Sequence, residues 1–392
     1  MSFLTQKHFP FSLMSLLLLL ASSLSIEPQA VARKKEAPPS LGQVYQFRSA
    51  YVDDDKQKPK GTLAWQVKLL GKVQSAAAID NRSVYVATST GSVFAFHKQK
   101  GVLQWQQALA DPIDHASPAL SDKHVIVAST SGKVYALNRG NGKKLWTFDA
   151  QSKMVATPFV AQLNKQDKAE TVYVATRAGK IYALDAESGE QKWAYDTDNM
   201  LDASPVVFDG KLFIADYRGR CYAIDIETGK PLWFYTIDGP VVVPPVVVED
   251  TVYFTTTNGA LAALDIDTGE KRWRHMGLYS HPLIVPPIIM KDEKQGDRIY
   301  IADLEGTLSC VNAKSQTNLW QRQLSGVVVS APVLSNGVLY VAMGDGQIWA
   351  LNALTGVELW KTRVASMIES GLLVNHGYLY VGANSGRFYA LK

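Results

Sequence analysis

An all-β chain closed into an eight-bladed β-propeller is the fold this sequence predicts, and three observations carry that reading. A ten-residue pattern ending in Trp recurs along most of the chain. Between its copies the apolar period is two rather than 3.6, broken by Gly-containing turns. The final copy stops short, and the missing part is found near the start.

The pattern reads "FHKQKGVLQW" (96–105), "LNRGNGKKLW" (137–146), "LDAESGEQKW" (184–193), "IDIETGKPLW" (224–233), "LDIDTGEKRW" (264–273), "VNAKSQTNLW" (311–320) and "LNALTGVELW" (351–360). Successive Trp residues, from Trp65 through Trp105, Trp146, Trp193, Trp233, Trp273 and Trp320 to Trp360, step by 40 or 41 residues, with two steps of 47. The longer steps hold the polar inserts "LNKQDKAE" (163–170) and "KDEKQGD" (291–297), which belong in surface loops. Within a unit, "SPVVFDGKLFIADYRGRCYAIDIETGKPLWFY" (204–235) divides into four short strands at Asp-Gly, Arg-Gly and Thr-Gly turns. Four antiparallel strands per unit of about 40 residues is the signature of a propeller blade.

The chain ends set the count. The last unit finishes at "GRFYALK" (386–392), and "KGTLAW" (60–65) matches "TGKPLW" (228–233) at Gly and Trp. The strand around Trp65 is therefore expected to complete the last blade, a closure that leaves no blade free to splay.

Asp265 and Gly269 in the recurring pattern read as turn chemistry. Asp bonds to backbone N–H groups of the turn, and Gly supplies the positive φ of a short hairpin. An EF-hand loop would need more oxygen ligands at fixed spacing and flanking helices. The recurrent Trp reads as packing between neighbouring blades.

Residues 1–32 read as a secretory signal: Lys7, the apolar run "FSLMSLLLLLASSLS" (11–25), then "PQAVA" (28–32) with cleavage after Ala32. No Cys near that point offers a lipid anchor, and no later apolar stretch is long enough to span a membrane. Residues 33–60, with seven Lys/Arg, four Asp/Glu and Pro38-Pro39, read as a flexible charged leader, and 61–392 as the propeller. The formal charge is +4, of which +3 lies in that leader. The nearly neutral body lacks the basic stripe of a nucleic-acid binder. No nucleophile elbow, phosphate loop or H-E-x-x-H motif occurs, and His275 and His281 have no close ligand set.

The repeat "G-x-[VIL]-Y-A-[LI]-[DN]-x-x-[TS]-G-x-x-x-W" resembles that of the pyrroloquinoline-quinone-like (PQQ-like) propeller family over residues 61–392. One branch, the quinoprotein dehydrogenases, implies a quinone on the axis, calcium held by Glu, Asn and Asp, a catalytic Asp and a vicinal disulfide. Cys221 and Cys310 instead fall in packed strand positions of different blades, where geometry disfavours a disulfide. The second branch, the exported non-catalytic propellers of the BamB family, is similar in length and blade count. That resemblance implies a scaffold for an outer-membrane insertase. It also implies an acidic segment D-x-D-T-T-P facing an Arg from the preceding lead-in. The matching segment here is "MLDASP" (200–205): Asp202 stands for the second acid, Met200 replaces the first, and Lys153 stands near the place of the Arg.

Propellers bind at the face carrying the lead-ins to each innermost strand. Aligning those lead-ins gives the ring Gln74, His115, Val155, Asp202, Val242, Ile284, Val329 and Ile368, with Asp114 and Glu369 beside polar members. A sector of Glu369, Gln74, Asp114 and His115 could receive a ligand or a partner's backbone; solvated channel lining is the simpler reading. Arg177, Asp216, Arg218, Asp303, Glu305 and Asp345 occupy turns on the same face, a mixed set that suits an interface rim or an ordinary surface. The expected function is a monomeric, non-catalytic periplasmic scaffold that binds an envelope protein without a cofactor. The alternatives are a small-ligand or polysaccharide binder and, behind it, a quinone-dependent dehydrogenase.

Overall fold

The computed structural model describes residues 51–52, 57–162, 169–275, 281–292 and 296–392. The expected signal sequence lies outside them, as does most of the expected leader.

Eight sheets, each with four antiparallel strands taken in chain order, make the blades. Blade one is Ala78–Ile79, Ser83–Ala87, Ser92–His97 and Leu103–Ala108, counted outward from the axis. Blades two to seven repeat this order, beginning at Ala119, Phe159, Val206, Val246, Ile288 and Val333. Strand chemistry follows position. Ser83–Ala87 is wholly buried between neighbouring blades, whereas the outermost strand Leu103–Ala108 alternates between solvent and core. Hydrophobic clusters accordingly straddle blades, as where Ile126 and Ala136 of blade two pack with Val172 and Leu184 of blade three.

Blade eight is built from both ends of the chain. Leu373–Asn375, Tyr378–Gly382 and Arg387–Leu391 are joined by Leu63–Lys68, with Trp65 opposite Ala390. Backbone bonds between Thr62 and Lys392, at 3.0 and 2.6 Å, extend the latch. This is the closure the sequence predicts, with the predicted number of blades.

The recurring Trp locks each blade to the next. The indole N–H of Trp233 donates to the Ile266 carbonyl of blade five at 3.0 Å, and Trp193, Trp146 and Trp105 repeat the bond one blade earlier each time. Gly269 needs its missing side chain twice over: φ is +71°, and a Cβ would lie 2.5 Å from the Trp233 ring. Asp265 Oδ1 accepts from the Asp267 and Thr268 N–H groups at 2.9 Å, the turn role read from the sequence. In blade six, where "VNAKSQTNLW" lacks the Gly, Gln316 takes the left-handed conformation at φ 57°.

One feature lies outside the repeat. Tyr51–Val52 pairs in parallel with Leu334–Ser335, which makes a fifth strand on the axial side of blade seven.

Candidate functional site

The lead-ins to the innermost strands share a face with the turns between second and third strands. On that face, one backbone bond per blade ties lead-in to turn: the carbonyls of Lys72, Pro112, Lys153, Met200, Pro240, Pro282, Val327 and Met367 accept from Ser89, Thr130, Arg177, Tyr217, Thr257, Leu304, Gly344 and Asn384. These bonds define a ring of equivalent positions.

The deeper ring, closer to the axis, is nearly dry. His115, Val155, Asp202, Val242, Ile284 and Val329 are at most 4% exposed. The sequence alignment needs one correction. Ile368 is fully buried in the core between blades seven and eight, and the ring position belongs to Glu369. Its carboxylate Oε2 accepts from the Gln74 side-chain amide at 2.6 Å, which joins blades eight and one. Two of the four residues of the expected polar sector, Glu369 and Gln74, are thus in direct contact. Gln74 alone among its eight members is more than slightly exposed.

Further round, Asp202 is held by Arg177. The guanidinium donates from Nε at 2.6 Å to Oδ1 and from Nη2 at 3.0 Å to Oδ2, a bidentate pair with Asp202 fully enclosed. Burial pushes the Asp202 carboxyl up, while Arg177 and, more weakly, Lys153 pull it down. The partner of Asp202 is thus Arg177, from a turn of blade three, and not Lys153. Lys153 is exposed and makes no ion pair among the described residues. Arg177 was legible only as a charged turn residue; it is the sole Lys or Arg at its turn position around the eight blades.

Between these pairs lies the lead-in to blade two, which carries one residue more than most. From Trp to the Pro that starts the innermost strand is 12 residues in "WTFDAQSKMVATP" and 13 in "WQQALADPIDHASP". Ile113 fills the core position, so Asp114 and His115 are looped out of the regular path. His115 adopts φ 65°, and the Ala116 N–H donates to the Asp114 carbonyl at 2.7 Å, closing a γ-turn of the strained hand. His115 is 3% exposed and its Nδ1 has no hydrogen-bond partner among the described residues. Burial, then the charges of Lys153, Arg177 and Lys72, bring its pKa down to about 4, so the imidazole is neutral at pH 7. Asp114 is half-buried, and burial pushes its carboxyl up despite Lys153 and Lys72.

Just below, a chain of buried hydroxyls links blades two, three and four: Ser117 N–H donates to Thr157 Oγ1 and Thr157 N–H to Ser204 Oγ, both at 2.9 Å. Pro244 and Pro286 occupy the same place in blades five and six. Polar cross-blade contacts are thereby concentrated on one side of the ring.

Cys221 and Cys310 are free, buried thiols in blades four and six, as their strand positions suggested. Among the described residues no three His, Cys, Asp or Glu side chains gather to hold a metal ion. His281 Nδ1 lies 3.5 Å from Asp303.

Fold and site define an eight-bladed propeller of PQQ-like repeats whose distinctive residues crowd one sector of the lead-in face. The family model described as outer membrane protein assembly factor BamB matches residues 54–200, 177–284 and 293–392, and the chain belongs to that family. Among solved structures, BamB from Moraxella catarrhalis is similar at TM-score 0.70 and 22% identity, covering 84% of this chain and 97% of that one. The quinohemoprotein alcohol dehydrogenase from Comamonas testosteroni is similar at TM-score 0.70 and 15% identity, over 88% of this chain and 78% of that one. The computationally designed Ika8 protein reaches 0.68 at 16% identity, over 88% and 99%. At such identities the likeness is one of fold. No curated protein matches the sequence.

Proposed function

We propose that this chain is a non-catalytic scaffold of the bacterial envelope, exported to the periplasm, that docks a protein partner on its lead-in face and serves outer-membrane protein assembly. Membership of the BamB family supports the role. The observation that carries the location is the enclosed bidentate Arg177–Asp202 pair beside Lys153, which makes no ion pair among the described residues. It gives a rigid, charged, cross-blade platform, where the next lead-ins round the ring offer Val242 and Ile284. Partner and chain act as monomers that meet on this face.

The experiment is photo-crosslinking from position 153 and from the far-face position 230 in native envelopes, followed by identification of the adduct. An adduct with the periplasmic part of the outer-membrane insertase from 153 but not from 230 is expected. Equal yield from both positions, or no adduct with a folded protein, would contradict the reading.

A further inference from the structure

The fifth strand of blade seven has no counterpart in the repeat, and the turn beside it shows what it pairs with. Asn336 (φ 51°) and Gly337 (φ 71°) make a two-residue hairpin, with Ser335 opposite Val338 across it. Residues flanking such a turn exchange both backbone bonds, and the next pair, here Leu334 and Leu339, exchanges none. Leu334 therefore turns its N–H and C=O away from the blade, towards the axis. Leu334 and Ser335 are at most 1% exposed, and buried backbone groups need partners. Tyr51 lies directly opposite Leu334, and Val52 opposite Ser335.

Strand direction fixes the path. Innermost strands run from the lead-in face to the far face, and Tyr51–Val52 is parallel to that of blade seven. The segment thus enters the axis from the lead-in side and leaves it on the far side. The chain that follows stays there: Gln57 lies against Gly377 in the far-face turn of blade eight, and the Pro59 carbonyl accepts from the Trp360 indole N–H at 2.9 Å. Seven residues from Val52 to Pro59 make a tether of at most about 25 Å, which ties the segment to this side of the ring.

The fold itself does not call for this strand. Blades four and eight have equivalent turns, Asp209-Gly210 and His376-Gly377, and present Val207 and Val374 as blade seven presents Leu334. Among the described residues, blade seven alone carries a strand at that edge.

We propose that the axial edge of blade seven is a binding site for one extended polypeptide strand in parallel orientation, and that the chain loads this site with its own residues 51–52. The site reads main chain, because what it offers is the N–H and C=O of Leu334. Two paired residues hold weakly; the tether supplies the remainder by keeping the segment at a high effective concentration. The occupant is therefore exchangeable, and an extended segment reaching the axis from the lead-in face competes for the same edge. A strand can sit in the axis whether or not a protein docks on the rim, so the site stands apart from the scaffold role.

The test uses the mature chain. Val52→Cys with Ser335→Cys should form an intramolecular disulfide under mild oxidation, and Val52→Cys with Phe208→Cys, the equivalent place in blade four, should not. Hydrogen exchange by NMR then reads the Leu334 amide. It should exchange about tenfold faster in Tyr51→Pro with Val52→Pro than in the parent, while the Val207 amide and the melting curve stay in place. The free peptide RSAYVDDD (residues 48–55) at millimolar concentration should slow the Leu334 amide of that variant again, and the same peptide N-methylated at both paired residues should not. Equal disulfide yields in the two blades, or a Leu334 amide indifferent to the prolines, would overturn the proposal. Exchange that the prolines accelerate and the peptide fails to slow would also overturn it, leaving residues 51–52 as a fixed part of the sheet.

Discussion

The lead-ins to blades two and five occupy the same place in the repeat, yet they are built in opposite ways. In blade five, Val241, Val242 and Val243 are at most 2% exposed, Pro244-Pro245 follow, and positive φ falls on Gly239. In blade two, the lead-in carries Asp114 and His115 nearer the axis, with positive φ on a buried His whose Nδ1 has no hydrogen-bond partner among the described residues. Blade five shows what closure of the ring requires, so whatever blade two has in addition is not required by the fold. A repeat protein supplies this control within itself, because each position is sampled eight times. Residues that depart from the repeat at a cost in stability are candidates for function.

The contrast can be broken or sharpened by substitution. The largest effect is expected at Asp202 and its counterpart one blade on. Asp202→Ala leaves Arg177 without its carboxylate and should destabilise by about 3 kcal/mol, the lower part of the range for breaking buried pairs because Arg177 keeps some contact with water. Val242→Ala, at the same ring position, should lose about 1–2 kcal/mol, the transfer and cavity cost of two methyl groups. Urea denaturation distinguishes the two, and equal losses would mean the polar pair adds nothing to the ring.

Next in size is pH. The folded-state pKa of His115, about 4, lies below its unfolded value near 6.5, so the unfolded chain binds the extra proton first. Stability is full above about pH 6.5 and falls as pH drops through that window, by roughly 3 kcal/mol from this residue. His115→Gln should remove this part of the slope. Subtracting the variant's curve from that of the parent isolates it from the carboxylates that also titrate.

Glycine substitutions come third. Gly269→Ala drives a Cβ into the Trp233 ring as well as straining φ, and should cost about 2 kcal/mol or more. Gly210→Ala has comparable φ, +74°, but open space, and should cost only about 1 kcal/mol. The smallest effect is at the lysines: Lys72→Gln and Lys153→Gln should each move stability by less than about 0.5 kcal/mol, towards the stabilising side. A larger loss at either would show that it holds the fold.

Blade count and closure were legible because a Trp that must meet the next blade's turn cannot drift in register. The pairing of "KGTLAW" with the C-terminal strand followed from the same constraint. The deep ring was legible for seven of its eight members, where Pro or the Ala76–Ala77 step anchors the innermost strand. It slipped by one at Ile368, since blade eight has Gly371-Leu372 where most blades have Pro. Asp202 was found, but its partner was not. Arg177 approaches from a turn of the preceding blade, a contact set by blade stacking and invisible to spacing along one unit. The extra residue between Trp105 and Pro118 was a readable sign of an irregular turn; the left-handed conformation of His115 was not, since nothing in Asp-His demands it.

The most direct measurement is the titration of the His115 imidazole by NMR in buffer free of multivalent anions. A midpoint near 4 is expected for an imidazole kept dry and facing cations at the mouth of the ring. A midpoint close to 6.5, the value of a solvated histidine, would show that water fills this sector and that blade two differs from blade five in composition only.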